Sequence, residues 1–168
     1  MPAHPLSALP ARAGILLDAN IFIYAFTGRS EQCRKLLERS QRGEVAACTT
    51  IEAVNEVCHR LMLMEAFERG IIDKISAPAL RSKAAEIARL TSYWMRVEEI
   101  FDLNLTVLAL DEARVRRAYR LRSVHGLLTN DSLIAAAAQE RTIRNLATAD
   151  RDFERVQWLT IYRPSDIG

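Results

Sequence analysis

What most restricts the fold of this chain is a rhythm: short apolar runs that each end on a polar or acidic residue, separated by stretches with helical spacing. Gly14 to Leu17 is the first run, and it stops at Asp18. Val45 to Cys48, Leu105 to Leu110 and Asn145 to Thr148 repeat the pattern, and Trp158 to Tyr162 offers a fifth run. A run without polar alternation suits a strand covered on both faces, as in a parallel sheet. Helical segments lie between these runs. Ile21 to Phe26 is broken at Thr27-Gly28, and Ser30 caps a helix whose stripe is Cys33, Leu36 and Leu37, ended by Gly43. Thr49-Thr50-Ile51-Glu52 has the capping-box pattern and opens a helix to about Glu68, with Val54, Val57, Cys58 and Leu61 on its apolar side. Ala79 to Leu90 and Ser92 to Phe101 read as two more helices, with Pro78 near the first start. Asp111 caps a helix to Ser123 that Gly126 closes, and Thr129 or Asn130 caps one through Leu133 to Gln139. Strands alternating with helices make βα units, and the expectation is one α/β domain.

Composition narrows the class. A chain of 168 residues, 49% hydrophobic and 26% charged, is one domain with a real core. No run reaches the ~18 apolar residues of a membrane span. Residues 1–13 carry His4, prolines and no long apolar stretch before Arg12, so they read as a flexible lead-in rather than a signal peptide, with the domain at 14–168 and a cytoplasmic location. Cys33, Cys48 and Cys58 have no CxxC spacing and suggest neither a disulfide framework nor zinc. The net charge of +2 does not by itself imply a nucleic-acid partner. Arginines cluster locally at Arg114, Arg116, Arg117, Arg120 and Arg122. Arg116 and Arg120 share a helical face, which is either a track for RNA phosphates or a solvated face paired with acids such as Glu112.

The chemistry sits in the carboxylates. Asp18 ends the first strand and Asp150 follows the fourth. In open parallel sheets, ligands bind outside the carboxyl ends of strands, so these distant acids would meet there. Asp131 begins a helix after a loop and Asp152 lies two residues past Asp150, so both would reach the same rim. Gathered carboxylates repel one another unless a cation neutralises them, and Mg²⁺ takes oxygen ligands for that role. Such ions activate water and stabilise both oxygens of a phosphodiester displacement. Each acid also has an ordinary reading. Asp18 and Asp150 would cap helices, Asp131 would complement a helix dipole, and Glu56 would pair with Arg60 on a surface.

Four segments in order resemble the motifs of the PIN-domain family, especially the toxins of VapBC-type toxin–antitoxin pairs. Leu16-Leu17-Asp18-Ala19-Asn20-Ile21 resembles the first, a strand ending in Asp-x-Asn, and Thr50-Ile51-Glu52-Ala53-Val54-Asn55-Glu56-Val57 the second. Thr129 to Ala136 resembles the third through Asp131, and Leu146 to Phe153 the fourth through Asp150. The resemblance covers residues 14 to 160. It implies a three-layer α/β/α domain with a central, mainly parallel sheet of four to five strands. It also implies that Asp18, Glu56, Asp131 and Asp150 surround Mg²⁺ or Mn²⁺, with Thr148 and Asp152 in support. Asn20 would hold the loop at Asp18. The implied activity is endoribonuclease cleavage of RNA by the toxin of a pair, a homodimer inhibited by a small cognate antitoxin. Alternatives are a scaffold that binds RNA or protein without cutting, and an RNA-processing nuclease with no antitoxin.

One departure stands out. The helical segment at about 65–101 is longer than compact members need between the second and third motifs. Its Tyr93, Trp94 and methionines would either grip RNA or an antitoxin helix, or pack in a core or dimer.

Overall fold

The computed structural model describes residues 3–167, and in it the apolar runs become strands of a single parallel sheet. β1 is His4–Pro5, β2 Gly14–Leu17, β3 Ala46–Thr50, β4 Leu105–Leu108, β5 Asn145–Ala147 and β6 Thr160–Arg163. They lie in the order β1-β6-β5-β2-β3-β4, and each neighbouring pair is parallel. The chain leaves β2 toward β3 and β4 on one side and later fills the other side with β5 and β6. The order of the connections thus reverses at β2, where a crevice opens at the carboxyl ends. Leu17 lies level with Thr49 on one neighbour and Ala147 on the other. The residues that follow, Asp18, Thr50 and Thr148, therefore emerge side by side.

The connecting helices are α1 (Ala19–Phe26), α2 (Glu31–Gln41), α3 (Ile51–Glu68), α4 (Ala77–Arg81), α5 (Ala84–Ile87), α6 (Ser92–Asp102), α7 (Glu112–His125) and α8 (Thr129–Glu140). The strand pleat sends Ile15 and Leu17 to one face and Leu16 to the other, and all three are wholly buried. On the first face they meet Ile21, Phe22, Leu36, Val57, Val97 and Ile100 from α1, α2, α3 and α6. On the second, Leu16 and Leu146 meet Ala118 and Leu121 of α7 and Leu133 and the run Ala135 to Ala138 of α8. These alanines let α8 lie close to the sheet. The result is the expected three-layer α/β/α arrangement.

The sheet has six strands, not four to five. The extra strand comes from the segment expected to be a flexible lead-in, and that expectation is corrected for residues 3–13. His4 and Pro5 pair with Tyr162 and Arg163 at the sheet edge, a position that tolerates proline. Leu6 and Leu9 are buried in the main core, and Arg39 donates to the Leu9 carbonyl at 2.8 Å. Among the described residues no helix is long and apolar enough to cross a membrane.

The segment at 65–101 holds α6 but not one helix from Ala79 to Leu90. Two short helices, α4 and α5, stand there instead. Together with the end of α3 they close a small separate core of Leu63, Ala66, Ile72, Leu80 and Leu90. Glu65 fastens this unit: its buried carboxylate accepts from the backbone N–H of Thr91 at 3.1 Å and of Tyr93 at 2.9 Å, and from Arg69 at 3.2 Å. Burial pushes its carboxyl up, but the backbone donors of Tyr93, Thr91 and Ser92 together with Arg69 outweigh this and hold it below its ordinary range. Glu65→Ala would strand these donors and is expected to cost about 2 kcal/mol, a fall of roughly 4–8 °C in melting temperature by thermal unfolding. A fall under one degree would show that water replaces the carboxylate at no loss.

Candidate functional site

The Thr50 hydroxyl caps α3 by accepting from Ala53 N–H at 3.2 Å, which fixes the helix at the carboxyl end of β3. Glu56 follows two turns in and faces the crevice between the sheet edge and α3. α8 leads back to the start of β5, so its own first turn lies at the opposite, carboxyl edge of the sheet and brings Asp131 there as well. No side chain caps α8: neither Thr129 nor Asn130 does so, because the helix begins one residue early, at Thr129, with Leu128 before it. Asp18, Glu56, Asp131 and Asp150 thus line one cleft of about 370 Å³.

Hydrogen bonds fix the geometry of the two strand ends. Asp18 is 7% exposed, and its carboxylate accepts from Ala19 N–H at 2.7 Å, from the Asn20 amide and from the Thr148 hydroxyl at 2.6 Å. The Asn20 carbonyl oxygen accepts from Ala149 N–H at 2.9 Å, so this side chain ties the end of β2 to the loop after β5. Thr148 Oγ1 also accepts from Asp150 N–H at 3.0 Å, and Asp150 accepts from Asp152 N–H at 2.8 Å. A continuous chain of bonds therefore sets Asp18, Asp150 and Asp152 relative to one another. Arg163 supports the loop by donating to the Asp150 carbonyl at 3.1 Å.

Carboxyl oxygens of Asp131, Asp150 and Asp152 lie within 4.8 Å of one another. Asp152, expected as an accessory, belongs to this tightest cluster, although it also pairs with Arg155 at 2.9 Å. Its helical turn (Asp152–Arg155) is too short to leave a periodic signal. Charge is poorly compensated here. Burial raises the Asp18 pKa to about 6 against the hydrogen bonds of Thr148 and Ala19, with Glu56 and Asp131 adding repulsion. Burial likewise raises Asp131 to about 6, followed by repulsion from Asp150, Asp152 and Glu56. Hard oxygen donors, crowded and short of positive charge, fit a divalent cation of the Mg²⁺ or Mn²⁺ kind.

The cleft also contains Ile23, Tyr24, Arg29 and Ile75, to which sequence reasoning gave no role, together with Arg60 and with Met64, one of the methionines offered as an RNA or antitoxin contact. The ordinary alternative for Glu56 was a surface pair with Arg60, yet neither residue forms an ion pair among the described residues. Helical spacing of four from Glu56 to Arg60 to Met64 was the available signal for their shared face. Tyr93 packs half-buried against the core, Trp94 is exposed, and neither lines the cleft. Arg116 and Arg120 line a separate depression on α7 with Arg117 and His125, and Arg116 pairs with Glu112 at 2.5 Å. The solvated-face reading describes Arg116 well.

Residues 15–159 match the family model described as PIN domain. Among curated proteins, the chain is 26% identical over 148 residues to "Ribonuclease VapC2" of Methanocaldococcus jannaschii, covering 88% of this chain and 91% of that one. It is 24% identical over 155 residues to "Ribonuclease VapC6" of the same organism, covering 90% and 97%. Among solved structures it resembles VapBC2 from Rickettsia felis bound to a promoter DNA fragment, with a TM-score of 0.60 at 16% identity over 90% of this chain and 99% of that one. It also resembles a toxin–antitoxin complex from Klebsiella pneumoniae, with a TM-score of 0.56 at 19% identity over 86% and 94%. At these identities the structural likeness speaks to fold alone.

Proposed function

Because the chain belongs to the PIN domain family, we propose that it is a Mg²⁺- or Mn²⁺-dependent endoribonuclease acting as the toxin of a VapBC-type pair. The observation that carries this reading is the convergence of Asp18, Glu56, Asp131 and Asp150 on one cleft at the strand ends, with Asp152 against two of them. The names of the two curated relatives support the RNA substrate. The toxin–antitoxin complexes among the structural neighbours support a small cognate antitoxin as partner. A homodimer in the cytoplasm goes with the same reading.

Asp131, Asp150 and Asp152 would hold the cation, with Glu56 reaching it from α3 and Asp18 from the end of β2. A divalent ion held there supplies a nucleophilic water at neutral pH and neutralises charge on the phosphodiester. The chain's own contribution is positional. Thr148 and Asn20 fix the Asp18 carboxylate before substrate arrives, so little reorganisation accompanies reaction. Thr148→Val removes one donor and is expected to lower the cleavage rate by about 10–100-fold, as loss of a group that orients a ligand does. Measured kcat would report this; an unchanged rate would assign Thr148 to packing.

The test of function is cleavage of total RNA by the purified protein with Mg²⁺ or Mn²⁺ and with excess EDTA. Cutting that needs metal is expected. Intact RNA in every lane would replace this reading with a binding scaffold.

A further inference from the structure

The cleft has a half without carboxylates. Arg60 and Met64 follow Glu56 at successive four-residue steps on α3, each roughly 6 Å farther along the helix. Ile75, from the loop between α3 and α4, stands in the same cleft with 43% of its surface exposed, although an isoleucine is more stable buried. Arg29 joins from the turn after α1. Its backbone N–H donates to the Tyr24 carbonyl at 2.9 Å, and its guanidinium lies 5.0 Å from the centre of the Tyr24 ring. Arg29 and Arg60 are both exposed, and neither forms an ion pair among the described residues, despite the acids in the same cleft.

Two free guanidiniums beside an acidic cluster suit a polyanion that passes both. Arginine is the residue for phosphate in such a place, because its planar fork makes paired hydrogen bonds. An apolar patch of Met64 and Ile75 beside them suits the flat face of a base. We infer that Arg29, Arg60, Met64 and Ile75 form the subsite for the nucleotide next to the scissile bond, the arginines on its phosphate and the apolar pair on its base. This rests on the ribonuclease reading above. It gives the inserted segment a role through Ile75: that segment completes the substrate cleft, whereas its Trp94 lies outside it.

The experiment measures binding without cutting. In an Asp131→Asn background, a short fluorescein-labelled single-stranded RNA of mixed sequence is titrated by anisotropy across a salt series. Arg29→Ala and Arg60→Ala are each expected to weaken binding about tenfold, with the salt slope falling by about 0.7 per arginine removed. Arg29→Lys and Arg60→Lys should keep the slope while losing part of the affinity, which separates lost charge from a misfolded variant. Ile75→Ser should weaken binding about threefold with the slope unchanged. Affinity and slope equal to the parent's in the Arg29→Ala/Arg60→Ala double variant would overturn the subsite. Failure of the function reading looks different: wild-type protein would cut no RNA, whatever the arginines do to binding.

Discussion

Asp18→Asn is expected to reduce metal-dependent RNA cleavage by about 10³-fold or more, since a lost metal-site carboxylate removes several kcal/mol of transition-state stabilisation at 1.36 kcal/mol per tenfold. Two losses combine. The anion is gone from a group that is 7% exposed and cannot be replaced from bulk solvent. In addition, the carboxylate accepts from Ala19, Asn20 and Thr148. An amide has a single acceptor oxygen, so its NH₂ must face one of these donors. Asn20 also fastens Ala149, hence the substitution disturbs the loop that carries Asp150. Single-turnover rates with Mg²⁺ for wild type and variant measure the effect. Activity within tenfold of wild type would remove Asp18 from the site. The same result for Asp131→Asn would remove the whole cluster.

The strands that carry Asp18 and Asp150 were legible because a doubly covered strand leaves an unbroken apolar run. Leu16 and Leu17 serve opposite faces and are both wholly buried. Caps were legible where a side chain acts locally, as with Ser30 and Asp111, whereas the capping-box pattern pointed to Thr49 and it is Thr50, one residue on, that caps the helix. What escaped depends on contacts made from far away. β1 has two residues and no period, and it is held through Leu6, Leu9 and its pairing with β6. The break between α4 and α5 follows from closing a small core against α3, and residues 79 to 90 do not announce it locally. In the site, the acids stood out because carboxylates at strand ends demand an explanation. Arg29, Arg60 and Ile75 did not, since an exposed arginine or isoleucine is unremarkable until a cleft is seen beside it. Asp152 was visible by its spacing from Asp150, but its place in the tightest cluster depends on the turn that follows β5.

Removing charge from this cluster should stabilise the metal-free protein while ending its activity. Folding raises Asp131 from 3.8 to about 6, through burial and then repulsion from Asp150, Asp152 and Glu56. A carboxyl whose folded pKa is raised holds a proton in the folded state that the unfolded chain has released. Its contribution is therefore harmless below pH ~4 and becomes destabilising as pH rises through the folded value, levelling off above about 7. The full shift corresponds to about 3 kcal/mol at 1.36 per unit, and solvent at this half-buried carboxylate reduces it to about 1–2 kcal/mol. Asp131→Asn in EDTA should accordingly melt about 2–8 °C above wild type at pH 7.5 and close to it at pH 4.5. The comparison between the two proteins cancels acids elsewhere, such as Glu65 and Asp166, whose lowered values act in the opposite sense. Saturating Mg²⁺ should reverse the order at pH 7.5, because binding only the folded wild type adds stability that the variant lacks. Differential scanning fluorimetry at two pH values, with and without Mg²⁺, reads all of this. If Asp131→Asn melts lower than wild type in EDTA at pH 7.5, the carboxylates are already balanced by the protein and the electrostatic case for a cation fails. If it melts higher but Mg²⁺ shifts both proteins equally, the cluster is crowded and the ion binds elsewhere.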